Sequence, residues 1–319
     1  MPPAAVLVAN AARGLGYTRP STPFGSAREA FRAFLRAAAV PDDERVLLPA
    51  FVGWSAREGS GVFDPVRELG LGHAFYPLTD TLRIDVDRLA EILAEGRVRV
   101  LVVVHYFGYV DPSYEAVMTL ARRHGVLVLE DEAHAMLTDL VGGASGRAGD
   151  ACVFSLHKML PLADGGTLVF NDPGHPLRAR VRPGVAGSGQ PWDYDLHRIA
   201  ARRVANARVA AREVAALHGH VTPLWPDLPA GTVPQTFPVV VETVSRDDLY
   251  FGMNAAGYGV VSLYHTMVAE LGADEFPAAH RLARRILNLP VHQDADEPQI
   301  RSMVAELGRQ VHRLRADAR

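Results

Sequence analysis

The stretch "FSLHKMLPLADGG", residues 154–166, contains the only lysine of the chain, Lys158, although 33 of the 319 residues are Lys or Arg. Every other basic position is an arginine. A guanidinium stays protonated at any accessible pH, whereas a lysine amine can lose its proton and attack a carbonyl carbon. A lysine kept for charge alone would be replaceable by arginine; a lysine needed as an amine would not. The flanks of Lys158 also read as structure. "DACVFSLH" (150–157) is an apolar strand that runs into it, and "GGTLVFND" (165–172) is the next strand.

Outward from this point the pattern repeats. "RVLLPAF" (45–51), "RVRVLVVVHYFG" (97–108) and "VLVLEDEAHA" (126–135) read as buried strands, and "SYEAVMTLARRHG" (113–125) has helical spacing and stops at Gly125. Continuous apolar strands alternating with helices predict an α/β fold with a mostly parallel sheet covered on both faces. Ligands of such sheets sit beyond the carboxyl ends of the strands. Asp131 and His134 follow one such end and Lys158 another. A Gly/Pro-rich loop (182–192) precedes a long helix over 195–217. A smaller α/β region follows, with a strand at 235–242, helices near 246–257 and 277–287, and a last helix after "DADEP" (294–298). The expected division is a large domain, 1–190, then a linking helix with a small C-terminal domain, 191–319.

Composition narrows the function. The formal net charge is −3 and 22% of residues are charged, which argues against nucleic acid or an anionic membrane as partner. The Arg clusters at 200–203 and 281–287 read as solvated helix faces. Cys152 is the single cysteine, so no intramolecular disulfide forms and a cytoplasmic setting fits; it reads as a small buried residue in its strand. The start "MPPAAVLVAN" lacks the basic lead and apolar core of a signal peptide, and no apolar run reaches membrane-spanning length. There is no metal-type cysteine spacing, and no metal is expected.

A Schiff-base lysine suggests pyridoxal phosphate (PLP), which makes further demands. A carboxylate must meet the pyridine nitrogen, donors must cradle the phosphate, and a flat side chain should cover the ring. Asp131 in "LEDEAHA" can supply the first, or be an N-cap or a solvated acid. "PFGSAREAFRAFLRAA" (23–38) can supply the second, since Gly25 and Ser26 precede a helix with free first-turn amides; an ordinary N-cap serine reads the same way.

These residues resemble a family. "LEDEAHA" followed by "GRAGDACVFSLHKMLPLADGGTLVFND" (146–172) looks like the core of the fold-type I PLP enzymes, closest to the nucleotide-sugar aminotransferase type, the DegT/StrS family. Its marks are E-D-x-A-[QH], then G-D-x-x-x-F-S, a lysine, and Gly-Gly before a strand. "VLLPAFVGWSA" (46–56), "VVVHYFG" (102–108) and "ARRILNLPVHQDADEPQIRSMVAEL" (283–307) resemble further family segments in the same order. The resemblance implies a large PLP-binding domain and a smaller C-terminal one. Lys158 would hold PLP as a Schiff base and then move the proton. Asp131 would pair with the ring nitrogen, and His134 would contact the ring or its phenolic oxygen. Ser155, Gly25, Ser26 and the Ala27 amide would bind the phosphate, and Trp54 would stack on the ring. It further implies a cytoplasmic homodimer that takes an amine from an amino acid, glutamate foremost, to a keto group on a sugar or other small metabolite.

The chain also departs from the pattern. Ser155 and Lys158 stand closer than the family places them; S-x-H-K resembles cysteine desulfurases and D-E-A-H resembles α-oxoamine synthases. In "PWDYDL" (191–196), Asp193 and Asp195 stand where the family has an asparagine and an arginine for the partner subunit's phosphate, and a carboxylate repels a phosphate at short range. The alternatives are another fold-type I reaction (lyase or C–C bond-forming) or a non-catalytic PLP-binding sensor. A serine hydrolase built on Ser155-x-x-Lys158 lacks the accompanying S-D-N and K-T-G motifs.

Overall fold

The computed structural model describes residues 16–187 and 189–317, so the N-terminal run 1–10 lies outside them. Seven strands make one sheet: β1 (Ser21–Phe24), β2 (Arg45–Pro49), β3 (His73–Tyr76), β4 (Val98–Val104), β5 (Leu127–Asp131), β6 (Ala151–Ser155) and β7 (Gly166–Phe170), in the order β1-β7-β6-β5-β4-β2-β3. From β3 to β6 all neighbours are parallel; β7 runs antiparallel to β6, and β1 antiparallel to β7. The apolar runs of the central strands are explained by burial on both faces: residues 100–103 of β4 are almost wholly inaccessible. Helices α1 (Ala27–Ala38), α2 (Asp64–Glu68), α3 (Val86–Ala94) and α4 (Tyr114–Arg123) connect or cover them.

The strand directions place the chemistry. Phe24 of β1 and Ser155 of β6 both pair with Gly166 of β7. The start of α1, the Gly165–Gly166 pair and the exit of β6 therefore lie side by side at one sheet edge. The approach is close. A Cβ on Gly166 would stand 2.2 Å from the Ser26 carbonyl carbon and 2.3 Å from the Ala27 nitrogen. Gly165, at φ +114°, donates its N–H to the Gly25 carbonyl at 2.8 Å, and its own carbonyl accepts the Leu156 N–H at 3.0 Å. The glycine pair thus ties the lysine segment to the N-terminus of α1.

Beyond residue 190, α5 (Leu196–Val214), α6 (Arg246–Ala255) and α8 (Glu297–Asp317) pack on a three-stranded antiparallel sheet of β8 (Val221–Pro223), β9 (Thr236–Val241) and β10 (Ile286–Pro290), ordered β10-β9-β8. The same stretch also feeds the first core, through Leu224, Trp225 and α7 (Pro277–Ala283), with Phe276 edge-on to Phe75 at 6.1 Å.

Two sequence expectations are corrected. The helix expected over 277–287 ends at Ala283, and Ile286 opens β10, because "ILNLP" is buried on both faces against β9. The 200–203 cluster is not wholly solvated. Arg203 is 3% exposed, and its guanidinium donates to Gln293 Oε1 and to the carbonyls of Pro234 and Gln235.

Replacing Gly166 with alanine should force α1 away from β7 and cost about 1–3 kcal/mol, the usual range for overpacking. Gly61→Ala, where nothing lies within 4 Å of the new Cβ, should be close to neutral. Chemical denaturation of both variants measures the difference.

Candidate active site

The two-residue period of a strand sorts the acids at the end of β5. Glu130 and Glu132 turn into the interior and are fully buried, and Asp131 turns the other way. Asp131 Oδ1 accepts the Ala133 N–H at 2.8 Å; its second oxygen has no hydrogen-bond partner among the described residues. Burial raises the Asp131 pKa, with the positive charge of Lys158 opposing.

The chain turns after β5 and presents the buried ring of His134. Its Nδ1 accepts the Phe107 N–H at 3.3 Å, and its Nε2 lies 3.2 Å from Lys158 Nζ. The ring is close to parallel with those of Phe107 (5.9 Å, 14°) and Tyr264 (6.1 Å, 23°). Lys158 ends a 3-10 turn (Leu156–Lys158) that leaves β6. The side chain is exposed as a whole, and its amine lies within hydrogen-bond distance of His134. Burial of the amine lowers its pKa against the opposing charges of Asp131 and Glu58, and the nearby Arg28 lowers it further. His134 falls well below the usual histidine range, through burial and then through the Lys158 charge.

Phe107 has φ +56°, the left-handed region, where a bulky residue costs about 1–2 kcal/mol. The surroundings hold it there. Its carbonyl accepts the Gln235 N–H at 2.8 Å, and the next carbonyl, that of Gly108, accepts the Thr138 hydroxyl at 2.7 Å. Gly108, at φ +91°, has no room for a Cβ, which would meet the Val233 oxygen at 2.5 Å.

At the sheet edge, Ser26 caps α1 by accepting the Glu29 N–H, and Gly25 donates its own N–H to the Glu29 carboxylate at 3.1 Å. The Ala27 and Arg28 amides have no acceptor among the described residues, nor does the Ser155 hydroxyl have a partner. Open amides at a helix N-terminus suit a phosphate, Asp131 has an open oxygen for a ring nitrogen, and the single lysine amine is near enough to feel the charges of Asp131 and Arg28. This donor set fits PLP. Gly25 fits through the room it leaves, since its amide is already taken.

Trp54 stands 40% exposed, its amide bonded to the Thr266 carbonyl at 3.0 Å, and its ring stacks on no other described aromatic. Beside Phe107, the aromatic that stacks on His134 is Tyr264, whose ring lies so close on Gly53 that a Cβ there would be 1.9 Å from it. Sequence reasoning missed Tyr264, which no motif marks, and the amide of Phe107, which sat unrecognised inside "HYFG". Asp193 and Asp195 act locally. Asp195 caps α5 through the Arg198 N–H at 3.0 Å, and Asp193 accepts the Gln190 N–H at 2.9 Å.

Comparison with known proteins identifies the family. The sequence model of the DegT/DnrJ/EryC1/StrS aminotransferase family matches residues 13–183. The chain is 28% identical to the erythromycin biosynthesis sensory transduction protein EryC1 of Saccharopolyspora erythraea, over 84% of this chain and 79% of that one. It is 26% identical to dTDP-3-amino-3,4,6-trideoxy-alpha-D-glucose transaminase of Streptomyces venezuelae, over 86% and 78%. In three dimensions it resembles a Streptococcus pneumoniae chain described as a sugar aminotransferase in its PLP-form, with TM-score 0.75 at 16% identity, covering 93% of this chain and 88% of that one.

The depressed lysine makes stability depend on pH. In the unfolded chain a lysine keeps its proton to about pH 10.4; folded, Lys158 releases it earlier. Below the folded value the fold bears the cost of a crowded ammonium. Between the two values the unfolded chain binds more protons, so stability rises with pH. Cofactor-free Lys158→Met should therefore be more stable than the parent at neutral pH and lose that advantage as pH rises toward 10, read by urea titration at several pH values.

Proposed function

The chain belongs to the DegT/DnrJ/EryC1/StrS aminotransferase family, and from that premise we propose that it moves an amino group from glutamate to a keto group on a sugar, working as a cytoplasmic homodimer. It is a fold-type I enzyme, a PLP-dependent aminotransferase. The observation that carries the finer reading is the convergence of the one lysine amine, the open oxygen of Asp131 and the free amides of α1 at one end of the sheet.

Bound there, PLP supplies an electron sink for the charge left at the donor's Cα. In this reading Lys158 Nζ carries the cofactor and is the group that takes and returns the proton at that carbon. Asp131, held in place by the Ala133 amide, keeps a proton on the ring nitrogen through its open oxygen. The α1 amides at Ala27 and Arg28, with Ser26 and the Ser155 hydroxyl, hold the phosphate at the positive end of the helix. His134 would contact the ring or its phenolic oxygen, and the exposed Trp54 would be available to cover a face.

Support for a sugar acceptor comes from the Streptomyces venezuelae relative, whose name specifies a dTDP-sugar. Support for the dimer comes from the family; beside the site a single valine, Val185, is 83% exposed with its carbonyl near Gly25. Among the described residues no helix is long and apolar enough to cross a membrane.

The purified chain should be yellow, and borohydride should fix one pyridoxyl group on Lys158. Glutamate should shift the absorbance to the pyridoxamine form and release 2-oxoglutarate; a shift only with other amino acids would replace the donor. Lys158→Arg should fold but stay colourless, and Asp131→Ala should lose roughly 10²–10⁴-fold in kcat, the span of a lost acid–base contribution. A keto-sugar panel with dTDP-linked members tests the acceptor, and light scattering tests the dimer.

A further inference from the structure

We propose that the backbone amide of Phe107 locks His134 in the tautomer whose N–H faces Lys158, so that the lysine meets a donor and rests as the free amine. The argument starts from what a backbone amide can do. The Phe107 N–H only donates, and it points at His134 Nδ1 from 3.3 Å. Nδ1 must then offer its lone pair, and a neutral imidazole with a bare Nδ1 carries its proton on Nε2. An imidazolium would set two N–H donors against each other at Nδ1. The Nε2–H therefore faces Lys158 Nζ, 3.2 Å away. An ammonium has three donors and no acceptor, so this contact is a hydrogen bond only when Nζ has lost its proton.

The other charged groups around the amine do not all agree. Asp131 and Glu58 favour the ammonium, Arg28 opposes it, and His157 stands next in the chain. The donor from His134 weighs on the side of the free base. Its direction is set two steps away, by the left-handed turn at Phe107–Gly108. That turn is fastened by Gln235 and Thr138 and by the fit of Gly108 against Val233. The ring of Phe107 is itself held between His134 and Trp225, at 5.9 and 6.0 Å. Phe107 is thus a positioning residue that acts through its main chain, which explains why a strained non-glycine conformation is kept beside the site.

The inference deepens the aminotransferase reading at the same site, yet it is tested on the cofactor-free full chain, so either can fail without the other. Because the chain has one lysine, labelling lysine at Cε gives a single ε-amine titration by NMR. His134→Phe keeps a flat ring but removes the donor, and the titration should move to higher pH. His134→Gln should restore it, since a carboxamide can accept from Phe107 through its oxygen and donate to Lys158 through its nitrogen. A move to lower pH in His134→Phe, or no move, would overturn the proposal, because His134 would then be an acceptor or a bystander. A measurement on the unmodified sequence guards against a misfolded variant. Long-range ¹H–¹⁵N spectra should show His134 protonated at Nε2 and bare at Nδ1, and the opposite pattern would equally overturn it.

Discussion

The buried carboxylate of Glu130 is the point to which the reacting end of the sheet is fastened. One oxygen accepts from Tyr114 Oη (2.7 Å), His105 Nε2 (2.8 Å) and the Gly146 amide (2.9 Å); the other accepts from the Ala148 (3.2 Å) and Gly149 (2.7 Å) amides. A lone carboxylate in a core would cost several kcal/mol. Burial pushes its pKa up, and the hydrogen bonds from His105, Tyr114 and Gly149 more than reverse that. The acid two residues on behaves differently. Burial and the charges of Asp139 and Glu130 push the Glu132 pKa well above the carboxylate range, the opposite direction from its neighbour. The β5–β6 connection wraps Glu130 so tightly that a Cβ on Gly149 would meet its carboxylate at 3.0 Å. With Glu130 fastened on one face, strand geometry sends Asp131 to the other, and the turn that follows sets His134 against Lys158.

That arrangement shows which parts of the site could be read from the sequence. Lys158 was legible because its chemistry differs from that of every other basic residue, and the parallel sheet was legible because its strands are apolar without alternation. In the run "LEDEAHA" three acids stand together, and the strand turns Asp131 to the face opposite the buried Glu130 and Glu132. Whether a carboxylate at a strand end points at solvent or at a ring of amides depends on a loop near 146–149, remote in sequence from the strand's own pattern. The short strands β1, β3 and β8 carry too few residues to show a period. β10 merged with α7 because a buried helix end and a buried strand share the same apolar signature. Tyr264 was illegible for a related reason: its place beside His134 depends on a residue at φ +64° and on a bare Gly53, neither of which leaves a pattern.

The acids of "PWDYDL" show how a local need can explain an apparent misfit. Judged against a phosphate-binding loop, two carboxylates in place of an amide and a guanidinium look repulsive. The structure gives both of them backbone work, with Asp195 on the first turn of α5 and Asp193 on the Gln190 amide. A negative group at a helix N-terminus is favoured by the free amides and the macrodipole. The long α5 helix begins where it does because of Asp195.

The division of labour between arginine and lysine has the same logic. Arg19 reaches the Gly146 carbonyl, Asn171 and Asp139 at once. Arg203 bridges Gln293 to two carbonyls, tying α5 to the segments that precede β9 and follow β10. Each needs several donors in a fixed plane and a charge that never leaves, which a guanidinium supplies. In the proposed reaction position 158 would need the reverse: one nitrogen, a lone pair on demand, and a stem flexible enough to swing between carrying a group and moving a proton. An arginine there would keep its charge against the Nε2–H of His134, donor facing donor, and would have no lone pair to offer a carbonyl carbon. The one lysine of the chain stands where, in the proposed reaction, a basic group is asked to stop being basic.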